Sequence, residues 1–329
     1  MLKSPQKEIF GSNLSSQITD KKFYDHRRTI IKSAFASFAA TNLTLFPTNS
    51  AYPGKIDRFV ADEIKHKKTH HKINPVTKFS DATSYNNFYE FGTGKSDPSK
   101  YAPKFLKVDP WSVEISGLVL KEKTFSYEEL IKISSMEERI YRLRCVEGWS
   151  MVIPWIGYSL KKVLEKVQPL GSAKFVEFTT LADPSQMPGV GGFNQILNWP
   201  YREGLRIDEA YHPLTMMTFG IYGKRLPEQN GAPVRIIVPW KYGFKSAKSI
   251  VKIRLVDKLP LTSWVDSAPG EYGFYSNVNP NVPHRRWSQK TERRIGEGIF
   301  SKRHKTLMFN GYSDEIASLY SGMNLKKFF

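Results

Sequence analysis

Residues 142–157 read RLRCVEGWSMVIPWIG, and among them is Cys145, the sole cysteine in 329 residues. A single thiol excludes an intrachain disulfide, a cysteine-rich zinc site and an iron–sulfur cluster held by this chain alone. Three readings of it stay open: a small buried hydrophobe, a nucleophile, or a ligand to a soft metal. A nucleophile needs a base in space. His212 and His284 are available, but no protease signature surrounds the cysteine. Arg142 and Arg144 favour the thiolate, or a bound oxyanion, where they lie close to the sulfur. Glu147 follows two residues on, either as a proton relay or as an arginine partner.

Two other stretches carry chemistry. SYNNFYEFG at 84–92 is rich in amides and aromatics, which either form turns or bind a polar ligand. In NGAPVRIIVPWKYGFKSAKS, which starts at Asn230, the residues Asn230, Arg235, Lys241, Lys245 and Lys248 share one strand-loop segment. Gly231 and Gly243 allow close backbone approach there. Such a cluster can hold the phosphate of an organic cofactor; lysines after a strand can equally be solvated. His66, His70 and His71 have metal-like spacing on a helix, but no carboxylate cluster accompanies them, and a solvated arm is the better reading.

The elements that must position these groups are mixed. Strand patterns run over 111–120, 174–181, 234–240 and 249–257, rich in β-branched and aromatic residues. Helices are expected where Ser126 and Glu129 form a capping box, after Ser159 with Leu160, Val163, Leu164 and Val167 on one face, and over SDEIASLYSG with Gly322 as stop. There is no β-α-β rhythm and no dinucleotide fingerprint. The expected class is α+β. Long Pro/Gly-rich loops between 182 and 233 are candidates to build a binding site.

The formal charge is +18, but the basic residues are dispersed and carry no recognition-helix, zinc-finger or RNA-recognition signature, so nucleic acid is not an expected partner. Adjacent Arg27 and Arg28 precede a mildly apolar segment from Ser33 to Phe46 and small residues near Ala51. That order reads as a twin-arginine signal over 1–51, with the segment shorter than the ~20 residues of a membrane span. A polar basic arm over 52–80 and a catalytic domain over 81–329 complete the division.

YNNFYEFG, LRCVEGWSMVIPWIG, EFTTLADPSQMPG, the long run from Tyr201 to Ile250, EYGFYSNVNP and PHRRWSQKTERRI occur in one order. Together they resemble the molybdopterin-containing catalytic subunits of bacterial periplasmic protein-methionine-sulfoxide reductases, from about Tyr85 to the C-terminus. The resemblance implies a single mixed α and β domain of the sulfite-oxidase molybdopterin-binding type. It implies that Cys145 ligates the molybdenum of a Mo-molybdopterin cofactor, with Asn87 and Glu147 near the metal. It further implies that Asn86, Tyr89, Glu90, Thr180, Asn230 and Arg235 contact the cofactor, with Ser246, Ala247 and Lys248 around its phosphate. The implied activity is oxygen-atom transfer from methionine sulfoxide residues of oxidised periplasmic proteins. The implied partners are the twin-arginine export machinery and a haem-bearing membrane subunit that supplies electrons, since the chain has no C-x-x-C-H haem motif of its own. Trp149, Trp240 and Tyr242 are candidates to line the substrate opening. Arg293, Arg294, Lys302 and Arg303 are candidates for docking the electron donor. Two other readings remain: a sulfite-oxidase-like enzyme, which wants several arginines converging on the metal, and a secreted basic binding protein with no cofactor.

Overall fold

The computed structural model describes residues 63–68, 73, 75–191, 195–298 and 300–328; the signal segment and His70 and His71 lie outside them. Its strands, in chain order, are β1 Ser112–Gly117, β2 Lys123–Ser126, β3 Glu137–Arg144, β4 Trp149–Ser159, β5 Phe175–Thr180, β6 Arg202–Arg206, β7 Met216–Ile221, β8 Lys224–Arg225, β9 Arg235–Ile237, β10 Ile250–Val256, β11 Thr291–Arg294 and β12 His304–Lys305. They form two sheets. One runs β2-β1-β10-β5-β6; the other runs β12-β11-β4-β7-β8, with β3 also on β4 and β9 also on β7. Short helices pack around them, and the class is α+β as expected. No helix among the described residues is long and apolar enough to cross a membrane.

Local sequence explains most of these elements. β1, β5, β9 and β10 fall inside the four runs expected as strands. The capping box at Ser126 is formed on both sides and opens the helix Tyr127–Lys132. Leu160, Val163, Leu164 and Val167 are all fully buried around the helix Lys161–Val167. Ser159, expected to open that helix, ends β4 instead, and its hydroxyl caps nothing. The C-terminal helix Ser313–Ile316 continues as a 3-10 turn, Ala317–Tyr320, and the chain leaves through Gly322 at φ +77°.

β3 and β4 are the strands that matter most, and no periodicity marks them. β4 is buried at every position except Ser159, so it reads as one apolar run rather than an alternation. β3, β7 and β11 pair along its edges, and both faces pack into the core, with Met151, Ile153 and Trp155 on one side and Ile156 on the other. The β3–β4 register closes at Arg144↔Ser150, leaving Cys145, Val146, Glu147 and Gly148 as the hairpin loop.

Where it is described, the arm over 52–80 keeps Lys65, Lys67 and Lys68 exposed to solvent, as expected, but its backbone is docked. Glu63 bridges Lys224 and Lys67 bridges Glu137. Thr77 exchanges hydrogen bonds with the Val152 backbone. His66 lies 3.9 Å from Glu138 and 2.6 Å from the Ile64 carbonyl, with no metal-binding cluster of His, Cys, Asp or Glu among the described residues.

Two buried ion pairs tie the second half together. Lys241 Nζ lies 2.6 Å from Glu209 Oε1 and Lys245 Nζ 2.5 Å from Glu203 Oε2, all four side chains fully buried. Tyr320 also donates to Glu209, so the first pair anchors the C-terminal turn. A cation left alone at such a depth is expensive. Glu209→Ala is therefore expected to destabilise the protein by about 3–5 kcal/mol, read from the midpoint of chemical denaturation.

Candidate active site

The hairpin loop that carries Cys145 is fixed from within and from behind. Cys145 N–H donates to the Trp149 carbonyl at 2.9 Å, and Gly148 N–H to the Cys145 carbonyl at 3.0 Å. Arg144, fully buried, points away from the sulfur. Its guanidinium donates to Glu292, to Gln289, to Thr306 and to the carbonyl of Cys145. Trp287 and Gln289 each donate to the Val146 carbonyl at 2.7 Å. The loop is thus clamped, and the thiol is buried in the wall of a cleft of about 950 Å³, counted to its open mouth.

Around the sulfur lies a small polar network. Asn87 Nδ2 donates to Cys145 Sγ at 3.3 Å and to Glu147 Oε2 at 3.1 Å. Lys95 Nζ reaches both Glu147 oxygens, at 2.9 and 2.6 Å, and Asn87 Oδ1 at 2.5 Å. Trp149 Nε1 donates to Glu147 Oε2 at 3.0 Å. Burial pushes the Glu147 carboxyl up, but the hydrogen bonds from Lys95, Trp149 and Asn87 outweigh it and hold it below the usual carboxylate range. The Cys145 thiol goes the other way, pushed up to about 12 by burial and by the Glu147 charge. A metal would bind there by displacing a proton.

The far side of the cleft is built for an anionic polar molecule. Asn86 and Asn230 both donate to the Ala82 carbonyl, at 3.1 and 2.9 Å, which leaves both side-chain carbonyl oxygens buried without a partner. Arg235 donates to the Asn230 and Ser246 carbonyls, and its Nε is unpartnered. Burial pushes Arg235 down to about 9. Burial and Arg235 together depress Lys248, while burial raises Glu90 against the opposing pull of Lys248. Among the residues lining the cleft are thus Arg235, stacked 5.0 Å from Trp155 with no carboxylate partner, and Lys248. Orphaned carbonyls suit ring N–H donors, buried cations suit a phosphate, and a lone sulfur suits a soft metal that brings its other ligands with it. The residues present fit a molybdenum-pterin cofactor.

Of the residues singled out in the sequence, Asn86, Asn87, Tyr89, Glu90, Cys145, Glu147, Asn230, Arg235 and Lys248 line this one cleft. Thr180, Ser246 and Ala247 are not lining residues. Thr180 donates to Glu90 at 3.2 Å, the Ser246 hydroxyl accepts from Val238 N–H, and Ala247 pairs with Ile236 through its carbonyl. Lys241 and Lys245 do not join the phosphate cluster, because buried glutamates neutralise them. Arg142 contacts the Asn310 carbonyl, so neither arginine beside the cysteine faces the sulfur. Trp149 lines the cleft, but Trp240 is core, bonded to Tyr320, and Tyr242 lies beneath Arg144. Of the four expected docking residues, Arg293 holds Tyr85, Arg294 is half-buried beside Glu292 and Arg303 caps the Gly148 carbonyl; Lys302 is exposed.

Sequence reasoning missed Lys95 and the aromatic mouth. Tyr89 packs edge-on against Trp264, which packs 4.8 Å from Tyr272, with Phe244 edge-on beyond. Lys95 is 52 residues from Glu147, and no local pattern signals that pairing.

The oxidoreductase molybdopterin binding domain model matches residues 100–264. Three curated relatives carry the name protein-methionine-sulfoxide reductase catalytic subunit MsrP. The Burkholderia mallei protein is 56% identical over 322 residues, 95% of each chain. That of Ralstonia nicotianae is 54% identical, over 96% of each chain. That of Xanthomonas campestris pv. campestris is 56% identical, over 96% of this chain and 97% of its own.

One contact gives a test of the cleft. Gly189 N–H donates to the Glu90 carbonyl at 2.7 Å, and a Cβ on Gly189 would collide with the Tyr89 and Glu90 carbonyl oxygens. Gly189→Ala is expected to displace this wall and lower bound molybdenum about tenfold, with far-ultraviolet circular dichroism unchanged.

Proposed function

The chain belongs to the family of molybdopterin-dependent protein-methionine-sulfoxide reductase catalytic subunits, and from that premise we propose a specific working arrangement. It is a molybdenum-dependent oxidoreductase. In the proposed arrangement Cys145 ligates the molybdenum, the substrates are methionine sulfoxide residues of oxidised periplasmic proteins, and electrons come from a haem-bearing membrane subunit. The observation that carries the reading is the convergence, in one cleft, of the sole thiol, the buried Arg235 and half-buried Lys248, and two orphaned amide carbonyls.

Reduction of a sulfoxide to a thioether takes two electrons and two protons and releases one water. The bound cofactor supplies the oxygen-atom acceptance and the two-electron exchange. This chain does the rest. Asn86 and Asn230, with their free carbonyl oxygens, would hold the organic part, and Arg235 and Lys248 would balance its phosphate. Asn87 Nδ2 donates to the Cys145 sulfur, 3.3 Å away, and so moderates its donor strength. Glu147 Oε2 lies 3.7 Å from that sulfur. Glu147 and its partner Lys95, 29% and 25% exposed, both reach solvent, from which the protons come. Tyr89, Trp264 and Tyr272 offer edges and faces that suit a thioether sulfur and its methyl group.

The sulfite-oxidase-like reading is less well supported. It calls for arginines converging on the metal. Arg235 is the one arginine lining the cleft among the described residues, and Arg142 and Arg144 are engaged elsewhere. Export by the twin-arginine route, and with it a periplasmic location, rests on Arg27 and Arg28 and the apolar segment after them.

Protein produced with its leader intact is expected to hold near-stoichiometric molybdenum and, reduced by an artificial donor, to convert protein-bound methionine sulfoxide to methionine. Cys145→Ser should lose the metal and the turnover together; retention of both sinks the proposal. The electron donor has its own test. Lys302→Glu is expected to slow electron delivery from the membrane subunit severalfold at low ionic strength, and little at high. An equal effect at both would remove Lys302 from the docking surface.

A further inference from the structure

Lys95 does more than pair with Glu147. We propose that Lys95 is a positioning residue: it holds the Asn87 amide and the Glu147 carboxylate in one fixed arrangement beside Cys145, and so sets the electron-donating strength of that sulfur toward the metal. This rests on the reading of Cys145 as the metal ligand.

The argument starts from donor and acceptor inventory. An ammonium carries three donors and no acceptor. Lys95 Nζ donates to Asn87 Oδ1 at 2.5 Å and to Glu147 Oε1 at 2.9 Å, and lies 2.6 Å from Glu147 Oε2 as an ion pair. The end of Asn87 facing Lys95 must therefore be its carbonyl, which turns Nδ2 toward Cys145 Sγ at 3.3 Å and Glu147 Oε2 at 3.1 Å. The sulfur thus receives one oriented N–H donor, together with the backbone N–H of Glu147 at 3.4 Å. The charge of Lys95 also offsets a carboxylate that lies 3.7 Å from the same sulfur. Take Lys95 away and three things change together. Asn87 Oδ1 loses its donor, Glu147 loses its cation, and the sulfur feels an unscreened negative neighbour.

The lysine is built into place. Asn86 N–H donates to the Lys95 carbonyl at 2.9 Å, which closes the loop from 86 to 95. The next turn is pinned where Gly94 N–H donates to Asp97 Oδ2 at 2.7 Å, at the start of the helix Asp97–Phe105. The loop that presents Asn86, Asn87, Tyr89 and Glu90 to the cleft is therefore the loop that returns Lys95 to the sulfur. A stability role explains this poorly. The Lys95 and Glu147 side chains are 25% and 29% exposed, and ion pairs open to solvent contribute little to folding. Their placement against the sulfur is what needs a reason, and groups that hydrogen-bond a metal's ligands commonly set its affinity and activity.

The test uses the molybdenum-loaded enzyme. Lys95→Met is expected to keep its metal content, to lose kcat about 10–100-fold with KM little changed, and to shift the electron-paramagnetic spectrum of the one-electron-reduced metal. Lys95→Arg, which keeps the charge and the donors, is expected to recover part of kcat and to move the spectrum back toward wild type. Should Lys95→Met fail to load the metal, Lys95→Gln decides, since it keeps a donor without the charge: a spectrum and kcat equal to wild type overturn the proposal, and a shifted spectrum with lowered kcat supports it. Lys95→Met indistinguishable from wild type, beside an inactive and metal-free Cys145→Ser, overturns the positioning role alone. A Cys145→Ser enzyme that keeps its metal and its turnover overturns the ligand assignment beneath it.

Discussion

The cleft depends on one buried guanidinium. Arg144 is the last residue of β3, has no exposure to solvent, and spends its donors on Glu292, Gln289, Thr306 and the Cys145 carbonyl. The ion pair with Glu292 at 2.9 Å neutralises it, and the Tyr242 ring covers it. Because β11, which carries Glu292, pairs with the start of β4, the same contact locks the β3–β4 hairpin to the neighbouring strand. A four-residue loop held by its own backbone, by Arg144 and by Trp287 and Gln289 has little freedom to move the sulfur. If Cys145 ligates the metal as proposed, that rigidity matters, because no second side-chain ligand would correct an error in the first.

Charge is distributed with the same economy. The segment from Arg235 to Lys248 carries four cations of similar local sequence character, three of them buried and Lys248 half-buried. Two of them, Lys241 and Lys245, face glutamates on the helix Ile207–Tyr211 and on β6, and act as structural pins. The other two, Arg235 and Lys248, line the cleft; Arg235 has no carboxylate partner among the described residues, and Lys248 is offset chiefly by Glu90. Burial depresses both, so the pocket stores an unfavourable electrostatic state that an anionic ligand relieves. The orphaned oxygens of Asn86 and Asn230 have the same sense: each is a polar group buried at a cost unless something arrives to satisfy it. A protein that is to hold a large cofactor tightly gains from pre-forming such a site, since little reorganisation remains to oppose binding.

This division explains what was legible in the sequence. The class, the strands β1, β5, β9 and β10, and the helices with caps or a clear apolar face follow from local pattern. Nine of the twelve singled-out site residues share the cleft, because the motifs that carry them are short loops whose types are themselves the chemistry. What failed has one cause in each case. β4 hides its strand character by being buried on both faces. Arg142 and Arg144 stand beside the cysteine in sequence yet face elsewhere: Arg144 ends the strand before the loop and is turned into the protein. Lys241 and Lys245 look like Lys248 until their glutamates, more than thirty residues away, are seen. Lys95 is invisible for the converse reason, an ordinary loop lysine given its meaning by a carboxylate across the cleft.

The contrast between Arg144 and Lys95 completes the physical account of the sulfur. Both are cations within a few residues of Cys145 in space, and both act on its loop, but their surroundings assign them opposite work. Arg144 is dry, paired and multiply bonded, so it fixes position and its charge is spent on Glu292. Lys95 is partly wet and bonded only to the two groups that touch the sulfur, so its charge is felt there. Among the causes acting on the Cys145 thiol, Glu147 opposes ionisation while Lys95 and Arg144 favour it. Rigidity from behind and tuning from the mouth are thus separate functions carried by separate residues. On the proposed reading of Cys145 as the ligand, the fold supplies both without a second thiol.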